Sequence, residues 1–369
     1  MYTNKQMDLQ QHQICWLREQ FPWMGKHSGY DLLSDYINAI SHRNNKNIFR
    51  TALPVPGILH IVKNILINKL NISKTYDHNS LITEAKAFFH LIGESYDITH
   101  VLYVERSLSL LSLLPQKIRG RLIGTVHQPV ELWKDGRHNT NVISSLDALI
   151  VLSKQEVNFF NEFLPGRVHF IPHGIDTLFF KPTDKIQFEI KKNRAPRCVF
   201  SGVWLRDIET LANVIEKVLA RDSGYNFDLL VPEDRRNNPH FDKISRYKQV
   251  VWHSNLTDLQ LRSLYQNASM LLLPMLNCTA NNALLEAISC GLPVVTNDVG
   301  GIKDYTNNTF ADIFPIGDIE SMVEAVLAIG GDPESSFKRG LAARYFAENH
   351  LNWQITAAKT IDLYSAVIT

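Results

Sequence analysis

The stretch "CTANNALLEAISCGLPVVTNDVGG", Cys278 to Gly301, places two asparagines and one glutamate on the first turns of an otherwise apolar helical segment. A helix start exposes unpaired backbone N–H groups and carries a partial positive charge, so it attracts anions. The small residues Thr279 and Ala280 let a phosphate approach the backbone, and Asn281 and Asn282 offer side-chain donors. Glu286 follows Asn282 by four positions. The two share a helix face, roughly 6 Å apart along the axis. A carboxylate beside a bound diphosphate needs hydrogen-bond donors, and a ribose diol supplies two. The pattern therefore fits a diphosphate on the helix start and the ribose of a nucleotide on Glu286. Spacing alone fits better asparagine and threonine acting only as helix caps, with Glu286 a solvated surface residue, since capping is a general need.

Elements that would position these residues alternate along the whole chain. Short apolar runs read as strands at "QICWL" (13–17), "NIFRTAL" (47–53), "THVLYV" (99–104), "RLIGTVH" (121–127), "ALIVLS" (148–153) and "VHFIPHG" (168–174). Helical patterns lie between them, at 30–40 and 81–95. A charged stretch with two prolines, 179–197, marks the domain boundary, after which "CVFSGVW" (198–204) starts the alternation again. A helix at 209–220, strands at 227–232 and 249–254, a helix capped by Thr257, the strand "SMLLLPM" (269–275), the asparagine-led helix and the strand "LPVVTND" (292–298) complete the series. The fold class is α/β, with parallel strands and crossover helices. Such sheets bind ligands at the carboxyl ends of their strands.

At 369 residues and 45% hydrophobic, the chain is long enough for two cores. Its 38 basic and 37 acidic side chains give a formal charge of +1, so no bulk field draws it to nucleic acid. Cys15, Cys198, Cys278 and Cys290 show neither zinc-ligand nor disulfide spacing, which fits a reducing, cytoplasmic setting. The polar N-terminus does not resemble a signal peptide, and no apolar run reaches bilayer-spanning length. A soluble protein is expected, with peripheral contact to a membrane surface left open.

"NALLEAISCGLPVVTNDVGGIKDY" resembles the donor-site signature of retaining glycosyltransferases of family 4, the group 1 glycosyl transferases with the GT-B fold. "ALIVLSKQEVNFF", "VHFIPHGID", "LTDLQLRSLYQNASMLLLPM" and "ENHLNWQITAAKTIDLYSAV" resemble that family's segments in its order. The resemblance implies two doubly wound Rossmann-like domains facing a central cleft. Residues 1–180 would bind the acceptor and 181–350 the nucleotide sugar, with a C-terminal helix, 351–369, packing back toward the first domain. It puts Glu286 on the ribose and Thr279, Ala280, Asn281 and Asn282 on the diphosphate and sugar.

The same resemblance makes "GKHSGY" (25–30) the loop that faces donor phosphates and acceptor, with Gly25, Lys26, His27 and Ser28 on acceptor or phosphate and Gly29 on the donor. Lys26 and His27 read equally well as solvated loop residues. His127, in "TVHQP", matches the histidine directed at the donor sugar, though an isolated histidine also serves structure. His173 reads as part of the interdomain connection or as a turn residue, and Glu105 has no role. Three positions depart from the family pattern. Cys278 replaces the first glutamate of E-x7-E, and Val203 and Glu209 replace the arginine and lysine that neutralise the leaving diphosphate. Arg206 is the nearby cation expected to supply that charge; its alternative is a surface ion pair with Asp207 or Glu209.

The expected chemistry is hexosyl transfer from a nucleotide-diphosphate sugar to a hydroxyl of a saccharide or other acceptor, in carbohydrate biosynthesis. The leaving group is stabilised electrostatically, without cofactor or metal. Cys278, Val203 and Glu209 motivate the alternative of a catalytically silent GT-B binding or regulatory partner. An oxidoreductase would need a GxGxxG turn that "GKHSGY" lacks, and an epimerase would use no acceptor. Base, sugar, acceptor and oligomeric state stay open.

Overall fold

The computed structural model describes residues 12–21, 24–41, 45–50, 76–183 and 194–369. Within them, one parallel sheet has the order β2-β1-β3-β4-β5-β6, from β1 (Ile14–Glu19), β2 (Lys46–Arg50), β3 (Ile98–Val101), β4 (Arg121–Val126), β5 (Ala148–Val151) and β6 (Val168–Phe170). A second has the order β12-β11-β10-β7-β8-β9, from β7 (Arg197–Ser201), β8 (Asn226–Leu230), β9 (Val250–His253), β10 (Met270–Leu273), β11 (Val294–Asn297) and β12 (Ala311–Phe314). The apolar runs explain the pairing. "ALIV" in β5 and "MLLL" in β10 are buried at every position, as strands covered on both faces must be. In the second sheet Leu271 pairs with Val199 on one side and Val294 on the other.

Helices α1 (Leu32–Ser41), α2 (His78–Gly93), α3 (Ile208–Arg221), α4 (Asp258–Asn267), α5 (Asn282–Ser289), α6 (Ile319–Gly331), α7 (Pro333–Phe346) and α8 (Trp353–Ile368) accompany the strands. Their starts follow from local chemistry. Asp207 caps α3 by accepting from the Thr210 N–H, and Thr257 with Gln260 forms a capping box on α4. α2 begins three residues before the expected Leu81, because Asp77 and Ser80 make a reciprocal cap there. The expected strand 99–104 stops at Val101. Val104–Ser107 forms a single helical turn, so Glu105 sits on that turn and not at a strand end. The last three residues of the expected strand 47–53, and residues 184–193 of the charged stretch, lie outside the described residues.

By contacts the chain divides into two units, each with its own core. Among the described residues, those up to 21, those within Tyr30–His173 and Trp353–Thr369 form the first; those within 24–29 and Gly174–Asn352 form the second. Loop 24–29 thus groups with the second sheet although its sequence neighbours do not. α8 is tied into the first unit by Trp353 against Tyr30 and His173, by Tyr364 Oη bonded to His100 Nδ1 at 2.5 Å, and by Thr356 donating to the Pro172 carbonyl. In the second unit the Ile175 N–H donates to the Leu351 carbonyl at 2.7 Å, so Ile175 and Leu351, near the two ends of the long segment, are adjacent.

Candidate functional site

In the second sheet the strand order reverses between β7 and β10, and the crevice at their carboxyl ends is the expected ligand position. The loop after β7 is fastened to the loop after β10. Asp207 N–H donates to the Pro274 carbonyl, Leu276 N–H to the Leu205 carbonyl, and Arg206 bridges Met275. Leu205 has φ +55°, a left-handed backbone that costs a branched residue on the order of 1 kcal/mol. The strained turn brings Arg206 back over the end of β7. Its Nε donates to the Ser201 carbonyl at 2.9 Å, Nη1 to the Trp204 carbonyl at 2.9 Å, and Nη2 to Asn281 Oδ1 at 3.4 Å. Among the described residues Arg206 meets no carboxylate: Asp207 is spent on Thr210, and Glu209 is exposed. The ion pair with Asp207 or Glu209 is not formed. Burial draws the guanidinium pKa down to about 10, so it stays charged at neutral pH.

α5 starts beside this cation. Asn281 is its N-cap, accepting from the Leu284 N–H at 3.1 Å, while its Nδ2 lies 3.9 Å from Met275 Sδ. Asn281 therefore serves the helix and tethers Arg206. Among the described residues the N–H groups of Asn282 and Ala283 have no acceptor, which leaves the helix start open to an anion. Thr279 is buried and Ala280 half-buried in the loop before the cap. Cys278 is buried, and its carbonyl accepts from the Gly301 N–H. All four cysteines are buried, and none is in a disulfide.

Glu286 is not a solvated surface residue. It is only 5% exposed, and each carboxylate oxygen accepts from a protein hydroxyl: Oε1 from Ser28 Oγ at 2.5 Å and Oε2 from Tyr265 Oη at 2.9 Å. Burial pushes its pKa up to about 7. The solvated alternative fails because Leu284, Leu285 and Ile288 bury the rest of α5, and the loop from Met24 to Ser28 covers the remaining face. Tyr265 was missed as a site residue; its only signal was a polar-tipped side chain on the buried face of α4.

Loop 24–29 is fastened at each residue type expected to meet ligand. Gly25 lies so close to Asp258 that a Cβ would fall 1.4 Å from its Oδ1. Lys26 is exposed, with its N–H donating to Asp258 Oδ2 at 2.8 Å. His27 bonds Asp176 Oδ2 through Nδ1 at 2.7 Å and stacks on Phe179 at 3.7 Å between centroids. Ser28 is on Glu286, and Gly29, φ +104°, ends the loop. His27 is thus anchored by Asp176 and Phe179, while about 36% of its side chain stays exposed.

In the first unit His127 follows β4. Its Nε2 donates to the Leu102 carbonyl at 2.7 Å, and its ring stacks on Tyr103 and meets Tyr30 edge-on. Burial lowers its pKa to about 3, so the ring is neutral. Glu105, left without a role by the sequence, accepts from the His127 and Gln128 N–H groups and fixes that turn; burial raises its pKa to about 7. His173 is buried against Tyr30 and Trp353. Among the described residues no group of three His, Cys, Asp or Glu side chains is placed to hold a metal, and no helix is long and apolar enough to cross a membrane.

A family profile described as "Glycosyl transferases group 1" matches residues 195–332, the span that holds Arg206, Asn281 and Glu286. Over that span the chain is similar to the group 1 glycosyl transferases. It is 27% identical over 307 residues to alpha-maltose-1-phosphate synthase of Mycobacterium tuberculosis, covering 75% of this chain and 76% of that one. The fold is GT-B. It superposes on sucrose-phosphate synthase from Thermosynechococcus elongatus with TM-score 0.70 and 17% identity, over 96% of this chain and 98% of that chain. Anabaena HepE in complex with UDP and glucose gives TM-score 0.70 at 13% identity, over 96% and 100%.

Proposed function

We propose that this protein is a glycosyltransferase that moves a hexosyl group, with retention, from a nucleoside-diphosphate sugar to an acceptor hydroxyl. The observation that carries the reading is Arg206: among the described residues it is a desolvated cation without a carboxylate, tied to the start of α5, whose Asn282 and Ala283 N–H groups meet no acceptor there. Such a site is preorganised for the negative charge that develops as the anomeric C1–O bond breaks toward the diphosphate. The acceptor oxygen forms the new bond to C1 on the same face, and its proton passes to the departing phosphate oxygen. No protein nucleophile is needed. Positive charge comes from Arg206 and the helix start, so the reading uses no metal. Glu286 holds the ribose hydroxyls. His127, a neutral ring whose Nε2–H is held by the Leu102 carbonyl, takes part as a positioning group for the donor sugar and transfers no proton.

The Anabaena structure holds UDP and glucose, so UDP-glucose is the first donor to try. The test begins with thermal shifts of wild type and Arg206→Ala against UDP, GDP, ADP and dTDP. A diphosphate at about a hundred times its Kd stabilises the fold by roughly 2.7 kcal/mol. Transfer from the matching nucleotide sugar is then followed, and the anomeric configuration read by NMR. Arg206→Ala is expected to lower kcat about 10²- to 10³-fold, and EDTA to leave the rate unchanged. Binding without turnover across a panel of saccharide acceptors would favour a silent binding partner. An unchanged kcat in Arg206→Ala would remove the proposed leaving-group role.

A further inference from the structure

The face of α5 assigned to the nucleotide is already covered by this chain. Asn282 and Glu286 lie four residues apart on one side of the helix. Met24 Sδ sits 4.0 Å from Asn282 Nδ2, and Ser28 Oγ donates to Glu286 Oε1 at 2.5 Å. Loop 24–28 therefore runs along both positions.

The two hydroxyls on Glu286 are not equivalent. Tyr265 is fully buried on α4 and packs within the core of the second unit, so its hydroxyl is a permanent partner of Oε2. Ser28 comes from a loop, and the next residue, Gly29, takes a φ of +104° that non-glycine residues rarely adopt. The loop's other attachments, Lys26 N–H to Asp258 and His27 to Asp176 and Phe179, are polar or stacking contacts that water and solvent-exposed groups can replace. A serine hydroxyl on a carboxylate oxygen is chemically the same donor as a ribose hydroxyl.

We infer that Ser28 is a built-in surrogate for a ribose hydroxyl, holding Glu286 Oε1 when no nucleotide is bound, and that donor binding must exchange it. Loop 24–28 is then a self-covering strap on the donor site, and Ser28 sets how strongly the enzyme weighs a ribose against a sugar that lacks its hydroxyls. Tyr265 keeps Oε2 through the exchange. The inference rests on the reading that Glu286 holds the ribose.

The experiment compares UDP, ADP and GDP with their 2′,3′-dideoxy counterparts by calorimetric titration of wild type, Ser28→Ala, Tyr265→Phe and Glu286→Gln, each checked for an unchanged fold by circular dichroism. A ribonucleotide must break the Ser28–Glu286 bond and a dideoxynucleotide need not. Ser28→Ala is therefore expected to tighten the ribonucleotide roughly three- to tenfold, the size of one net hydrogen bond, and to leave the dideoxy form unchanged. Tyr265→Phe should act in the opposite direction. Ribonucleotide binding that Ser28→Ala weakens or leaves alone, while Glu286→Gln still abolishes the preference for ribose, would overturn the surrogate role and keep the ribose assignment. No preference for ribose in wild type or Ser28→Ala, or no binding at all, would overturn the assignment of Glu286 itself.

Discussion

Glu286 shows how a single carboxylate couples the fold to the ligand with opposite signs. Burial raises its pKa to about 7, above the ordinary 4.5, so the folded protein holds this proton more tightly than the unfolded chain. Its contribution to stability is fully present below about pH 4.5 and is lost as pH rises through about 7. A ribose diol needs the ionised form as acceptor, so nucleotide affinity should strengthen over the same rise. Titration of the matching nucleoside diphosphate between pH 5.5 and 8.5 checks this by comparing wild type with Glu286→Gln. The diphosphate's own ionisation is common to both, so the difference in slope belongs to Glu286, and parallel profiles would refute the assignment. The residue types at this site were legible in the text, and so was the helix that bears them. Burial was not, because the groups that cover Glu286 come from Ser28 and Tyr265, 258 and 21 positions away. Arg206 was legible as a cation, while its freedom from Asp207 depends on the cap that Asp207 makes with Thr210.

α5 is a short element, and its start serves two purposes that a substitution can separate. Asn281 caps the helix through Leu284 N–H and accepts from Arg206 with the same oxygen. Replacing it with alanine should cost about 1 kcal/mol of stability and release the guanidinium. Asn281→Asp keeps the cap, since aspartate is as good an N-cap as asparagine. It also gives Arg206 the carboxylate partner it lacks. The expected outcome in urea denaturation is a loss for Asn281→Ala and near wild-type stability for Asn281→Asp, with both variants weakened in nucleotide binding. Tight binding by Asn281→Asp would mean that the open charge on Arg206 is not what the anion meets. At this scale the text predicted most strands of both sheets and the Thr257 cap, because apolar runs and cap residues are local signals. It did not predict β12, α6 or α7. Residues Ala311–Phe314 are only partly buried at the sheet edge, so no continuous apolar run announced them. The strand 99–104 was overextended because Val104 is apolar for packing in the core, not for pairing.

Across the whole molecule, two cores are built from a chain whose sequence order does not match its grouping. α8 is last in the chain yet its side chains complete the first unit: Trp353 is 1% exposed against Tyr30 and His173, and Tyr364 is fully buried on His100. The second unit encloses its own core and carries Arg206, α5 and Glu286. Damage to α8 should therefore be felt in one unit and spare the other. Trp353→Ala removes a large buried side chain, at a cost of about 3–5 kcal/mol. Because the loss falls within the first unit, hydrogen exchange is expected to quicken at β1, β3 and β4 and to stay slow at β7, β10 and β11. The thermal shift produced by the matching diphosphate should persist under conditions that keep the second unit folded, while sugar transfer is lost. If exchange instead quickens equally in both sheets, the two units unfold as one cooperative body, and no ligand response could be assigned to the second unit alone.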